Sequence, residues 1–350
     1  MPSTQVIGWF ADIGLDDRPR VGGKGGSLGE LQRAGIAVPP GFVVQTGAFE
    51  RFIQALERNA GVRSRVEELS GEDLSAVTAC CAEIRARVEA EALPPDVLDE
   101  ISVAHAALCG DDGQTPLAVR SSATTEDAVD ASFAGLQDTY LWVTDLSQTL
   151  QRVRSCWASL YSAESVTYRR KRGLPEEGVA MAVVVQKMVN ARTAGVMFTR
   201  SPLTGDRSVL TVEGSWGLGS AVVGGEVTPD RWVLGKITGD ISVREISEKL
   251  IQHAPVAAGG IETVAVAEDL RRAPCMSDGE LQSLRTVARK VERHYGRPQD
   301  IEWAVERRTN AILLLQSRPE TVWSAKEPAP IARPAADPLS HVMSIFGGKR

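Results

Sequence analysis

Residues 300–319 read DIEWAVERRTNAILLLQSRP. DIEWAVE and AILLLQS are apolar-rich runs of strand length, and polar residues 307–310 lie between them, so the stretch reads as a β-hairpin. Successive side chains of a strand point to opposite faces, which puts Gln316 and Arg318 on one face of the second strand. Glu302 sits on the first strand between Ile301 and Trp303. An acid, an amide and a guanidinium across one hairpin make a platform for a divalent cation and phosphate oxygens. A cross-strand salt bridge between Glu302 and Arg318 accounts for the same residues without a ligand.

Working outward, MAVVVQKMV at 181–189 has the length and β-branched content of a buried strand. TAGVMFT, SVLTVEG and DRWVLG follow as strands separated by Gly, Pro and Asp turns. A late helix is predicted over 277–294. Strands are also predicted over 117–120 and 140–143, and at FVVQ after Pro39, Pro40 and Gly41. Phe49, Phe52, Ile53 and Leu56 recur at helical spacing. Residues 74–108 read as one or two surface helices with apolar positions in the core. Residues 147–172 read as helix ending in RRKR, a solvated end. Gly22 and Gly23 open a tight turn, and a helix runs from about Ser27 to Ala34. From about Trp323 the composition turns Pro- and Ala-rich, as in a linker. The last residues, LSHVMSIFGGKR, read either as a frayed tail or as a docking segment.

Several further residues could carry chemistry. Lys24 stands between two glycine pairs in GGKGG, but no GxxxxGK[ST] phosphate loop is present. Arg120 follows an apolar strand and precedes Ser121, Ser122 and Thr124. Its guanidinium could clamp phosphate or pair with Glu126 and Asp127. GSWGLGSAVVGG at 214–225 has five glycines in twelve residues, and such a loop can approach a ligand closely and move. A plain hairpin connection is the alternative.

The chain has 350 residues, enough for about two to three domains or subdomains. Its net charge of −6 argues against a general affinity for nucleic acid or anionic membrane. The five cysteines are odd in number and fit no zinc spacing, so they read as buried thiols of a reducing compartment. The N-terminus lacks a signal-peptide pattern, and no apolar run reaches the ~18 residues that span a bilayer. A cytoplasmic protein is expected.

Five segments in order carry a resemblance: VGGKGGSLGEL at 21–31, AVRSSATTEDAVDASFAGLQDT at 118–139, VQKMVNARTAGVMFT at 185–199, EGSWGLGSAVVGGEVTPD at 213–230, and the hairpin at 300–319. Together they resemble the ATP-binding domain of the phosphoenolpyruvate synthase and pyruvate phosphate dikinase family, over about residues 15–322. The resemblance implies an α+β, ATP-grasp-like fold with ATP between two lobes. It divides the chain into residues 1–195, residues 196–324 with the metal and phosphate platform, and a linker and tail at 325–350. By the same resemblance Lys24 and Arg120 contact phosphates, and Gly135 and Thr139 lie near them. Gln186 meets the adenine, Glu302 and Gln316 hold Mg2+ and nucleotide, and Arg318 stands beside the transferring phosphates. One departure is the RRTN turn, where Asp-Gly is expected, so the hairpin is expected to be longer or differently twisted.

The family passes phosphate through a histidine in a small Thr/Ser- and Gly-rich motif. His105, His253, His294 and His341 have no such surroundings. The resemblance therefore implies the ATP-binding half of a split phosphotransferase. It would pass the β-phosphoryl group of Mg-ATP to a histidine on a partner subunit, with AMP and phosphate formed. Two-subunit relatives similar to phenylphosphate synthase suggest a phenol or cresol as final acceptor. Pyruvate, or an antibiotic as in rifampin phosphotransferase, is the alternative. The other classes that fit are a non-catalytic ATP-binding regulator, an ADP-forming carboxylate–amine ligase, and a piece of a longer protein.

Overall fold

The computed structural model describes residues 5–110, 115–124 and 138–323. Gly135, Glu126, Asp127, His341 and the 325–350 linker and tail lie outside the described residues.

The first sheet contains β1 (Ile7–Trp9), β2 (Gly41–Val44), β3 (Leu117–Ala123), β4 (Thr139–Val143) and β5 (Met181–Lys187), in the order β1-β2-β5-β3-β4. Every neighbouring pair is antiparallel. Both faces of its centre are covered. Phe42, Val44, Val183 and Val185 point into a layer of helices, where they meet Phe49, Phe52, Ile84 and Trp157. Val43, Ala182 and Val184 point the other way, onto Val21 and Leu28 of α1 (Arg18–Arg33). A strand buried on both faces has no polar alternation, which is why β5 reads as an unbroken apolar run.

The helical layer comprises α2 (Thr46–Ala60), α3 (Val62–Glu67), α4 (Leu74–Ala90), α5 (Pro95–Cys109), α6 (Leu146–Ser159) and α7 (Ala163–Lys171). The single helix expected over 147–172 is broken between α6 and α7. Ser162 caps α7 by accepting from the Ser165 N–H. The RRKR run is not simply solvated. Arg169 is buried and bidentate to Glu176, at 2.9 and 3.0 Å, and also donates to Leu160 O and Ser165 Oγ.

The second sheet contains β6 (Ala191–Phe198), β7 (Val209–Trp216), β8 (Asp230–Gly235), β9 (Ile241–Glu245), and, beyond a separate hairpin of β10 (Ile251–Pro255) and β11 (Ile261–Ala265), β12 (Gln299–Glu306) and β13 (Ile312–Pro319). Its order is β13-β12-β6-β7-β8-β9, again antiparallel throughout. Strand β8 alternates, with Asp230, Trp232 and Leu234 inward. A short helix, α8 (Ser220–Val223), follows β7. The amphipathic helix α9 (Asp278–Tyr295) packs Leu281, Leu284, Ala288 and Val291 against Met197, Val212, Trp232 and Trp303. Ser277 and Glu280 close its start as a capping box. The chain leaves the first sheet after Lys187 and enters the second at Ala191, so the division expected at 195/196 falls inside β6.

Helix α1 corrects another expectation. It begins at Arg18, not near Ser27, and bends at Gly22, where φ is +70° and ψ 177°. A Cβ at Gly22 would lie 2.2 Å from Ser122 O, so only glycine fits the bend. Helix α1 also joins the two lobes. Leu28 belongs to the core beneath the first sheet and Leu31 to the core of the second. Ser27 Oγ donates to Ser317 O at 2.6 Å, and the Leu314 N–H donates to Ala37 O at 2.9 Å.

Candidate nucleotide site

The cleft between the sheets encloses about 320 Å³. Arg120, Thr139, Gln186 and Glu302, all singled out in the sequence, line it. Arg120 is on β3 and Thr139 is its register partner on β4. Gln186, on β5, is buried and donates through Nε2 to Pro39 O at 3.2 Å. Backbone bonds from Lys187 N to Pro40 O and from Met188 N to Pro116 O fix the segment leading to the second sheet.

The centre of the site is a contact across the cleft. Arg120 is 9% exposed. Its Nη2 donates to Glu302 Oε2 at 3.0 Å and to Gln316 Oε1 at 2.8 Å, while Nη1 donates to Leu315 O at 3.1 Å. Glu302 and Gln316 face each other on β12 and β13, and a register shift between Glu302 and Trp303 follows that pair. The hairpin turn is the longer form. Glu306 accepts from the Arg308 and Thr309 N–H groups, and Asn310 takes φ +56°.

Lys24 is buried beside this wall but does not line the cleft. The Gly25 N–H donates to Ser122 Oγ at 3.2 Å, and Ser122 Oγ donates to Val21 O at 2.9 Å. These bonds fix the glycine bend two residues along β3 from Arg120. Burial pushes the Cys156 thiol up; Asp138 adds to this and Lys24 opposes it.

Arg318 stands apart from the Arg120 cluster. Its side chain is 57% exposed and pairs with Asp300 at 3.4 Å, not with Glu302 as the ligand-free reading proposed. Burial pushes the Asp300 carboxyl up to about 6, Arg318 opposes that and Glu320 adds to it. Asp300 was not singled out from the sequence. The signal was present, because it lies two residues before Glu302 and shares its face. Also missed were Ser220, His253 and Glu226, which meet on the glycine-rich side of the cleft.

Among the described residues no group of three or more His, Cys, Asp and Glu could hold a metal. Glu302 and Gln316 nonetheless offer two oxygen donors side by side. That fits Mg2+, which typically takes one or two protein ligands and fills its shell with water and phosphate oxygens. Among the described residues no helix is long and apolar enough to cross a membrane.

Two α+β lobes with a buried arginine bridging the cleft between them define a protein of the ATP-grasp-like class. The family model for the pyruvate phosphate dikinase AMP/ATP-binding domain matches residues 18–337, and the chain belongs to that family. It is 41% identical over 319 residues to a probable phosphoenolpyruvate synthase of Methanothermobacter thermautotrophicus, covering 91% of this chain and 46% of the relative. It is 42% identical over 314 residues to a probable phosphoenolpyruvate synthase of Archaeoglobus fulgidus, covering 89% and 41%. It is 39% identical over 363 residues to a phosphoenolpyruvate synthase of Aeropyrum pernix, covering 94% and 44%. The chain thus spans less than half the length of these curated relatives. What it represents is the ATP-binding domain of this phosphotransferase family.

Proposed function

We propose that the chain binds Mg-ATP in the cleft and passes the β-phosphoryl group to a histidine outside these 350 residues, on a partner subunit, with AMP and phosphate as products. The observation that carries this is Arg120 reaching from one sheet to Glu302 and Gln316 on the other. Phosphoryl transfer asks a protein mainly for positioning and charge neutralisation. Arg120 can exchange its two side-chain partners for phosphate oxygens. Lys24, buried behind the same wall, adds a second positive charge. Arg318 is the third cation of the clamp, reached by exchanging Asp300 for phosphate. Thr139 lies near the phosphates, and Gln186 and the backbone around Met188 receive the base. Glu302 and Gln316 hold Mg2+, which supplies neutralisation of the phosphate oxygens. Of the glycine-rich 214–225 segment, residues 214–216 belong to β7, and the turn and short helix at 217–225 cover the site against water.

The names of the relatives favour pyruvate as the final acceptor. A phenol or cresol is the reading the test must separate from it. Purified chain is mixed with ATP, Mg2+, the histidine-bearing partner captured from the native host, and either acceptor, and the nucleotides are separated. AMP formed with pyruvate supports the proposal; AMP formed only with phenol moves the acceptor; ADP alone overturns the dikinase reading in favour of a ligase. Glu302→Gln should abolish AMP formation while leaving nucleotide affinity within about tenfold, because only one of several ligand contacts is altered. Transfer at full rate in that variant overturns the metal assignment.

A further inference from the structure

Ser220 opens α8 and lines the cleft beside Gly219, Val223 and Gly224. Its Oγ lies 2.7 Å from His253 Nδ1, and His253 Nε2 lies 3.2 Å from Glu226 Oε2. Two separate stretches of chain meet here: α8 with the turn after it, and β10. The backbone reinforces the meeting. The Leu218 N–H donates to His253 O at 3.0 Å. Gly217, at φ +76°, is packed so closely that a Cβ would lie 2.5 Å from the same oxygen. His253 is 7% exposed, so its ring is held by its neighbours and not by solvent.

With the imidazole neutral, the order of the three sets the direction of the hydrogen bonds. An ionised carboxylate only accepts, so Nε2 carries the imidazole proton that faces Glu226. In the neutral ring Nδ1 is then the acceptor and takes the Ser220 O–H. The hydroxyl is left with its lone pairs for the cleft. Ser220 therefore offers an acceptor to whatever is bound. A phosphate oxygen, itself an acceptor, gains nothing from it; a ligand hydroxyl does. The phosphates are already served by Arg120, and the base by the segment around Gln186 and Met188. The part of a nucleotide that remains, and that carries hydroxyl donors, is the sugar.

We propose that Ser220 is a specificity residue that accepts a hydrogen bond from a ribose hydroxyl of the bound nucleotide, and that His253 and Glu226 are positioning residues that set the polarity of its hydroxyl. The proposal rests on the nucleotide-binding reading above. One neutral hydrogen bond corresponds to a preference of about 2- to 10-fold.

The test measures dissociation constants of ATP, 2′-deoxy-ATP, 3′-deoxy-ATP and ITP for the wild-type chain, Ser220→Ala and Glu226→Gln. Thermal melts are run alongside to establish that each variant is folded. The wild type should prefer ATP over one deoxy analogue by that factor, Ser220→Ala should bring the ratio to about one, and Glu226→Gln should fall between. A loss of packing would weaken all four ligands together and leave the ratios standing. Unchanged deoxy ratios in Ser220→Ala overturn the assignment. A preference for ATP over ITP that disappears in place of the deoxy preference puts Ser220 on the base and overturns the sugar contact. Unchanged ratios in Glu226→Gln remove the positioning role. No binding of ATP by the folded wild type overturns the nucleotide reading and this proposal with it, a result distinct from binding without discrimination.

Discussion

Asp300 is a carboxyl group whose charged form the fold disfavours. Burial raises it to about 6, against the 3.8 of an exposed aspartate, and the Arg318 guanidinium only partly offsets the desolvation. A group raised in the folded state contributes stability that is fully present below its unfolded value near 4 and is lost as pH rises through 6. Asp300→Asn should therefore flatten the decline in stability between pH 4 and pH 7, by on the order of 2 kcal/mol. Urea unfolding at several pH values checks this, and parallel curves for the two proteins would refute it. Removing Arg318 should push the Asp300 carboxyl higher still. Legibility at this scale was uneven. The hairpin placed Glu302 and Gln316 side by side from spacing alone, and the structure puts them in register; that Arg120 joins them was not readable from spacing. Nor was the partner of Arg318, because pairing across β12 and β13 depends on register. Arg169 was misread because a run of four basic residues looks solvated until a buried carboxylate, Glu176, is brought to it.

Among elements, β5 was easiest to read and α1 hardest. An apolar β-branched run over MAVVVQ leaves little besides a buried strand. In α1 the glycines of VGGKGGSLG lower helix propensity enough that the first turns read as loop. Tertiary packing against β3 overrides that propensity and uses one glycine as a bend. Gly22→Ala should destabilise the protein by at least about 2 kcal/mol. The new side chain meets Ser122 in a backbone region that L residues rarely enter. Because the bend sets where Lys24 sits, nucleotide affinity should fall as well. Denaturant titration and ligand titration of the same variant check both effects; an alanine variant of wild-type stability would mean the bend is dispensable.

At the scale of the molecule, the two lobes share α1. Leu31 is fully buried in the core of the second sheet, while Leu28, three residues earlier, is fully buried under the first. Leu31→Ala should cost about 2–5 kcal/mol and lower the unfolding temperature of both lobes together. Tryptophans report on each separately: Trp157 in the first core, Trp232 and Trp303 in the second. Two resolved transitions in the variant would show that the lobes melt independently. The lobed α+β architecture was legible through its strands and its family resemblance. The cross-cleft contact was not derivable from local pattern, since Arg120 and Glu302 are 182 residues apart.

That contact has a consequence for which anions the protein answers to. Arg120 already has three oxygen partners within 3.1 Å, so its charge is spoken for before any ligand arrives. Inorganic phosphate brings one small group and must undo the contact alone. If Glu302 and Gln316 hold the metal as proposed, a metal-bound triphosphate would engage both sides at once and free the guanidinium for its phosphates. On the proposed reading the bridge works as a filter: a lone simple anion should bind weakly, and a molecule that replaces both ends together should bind well.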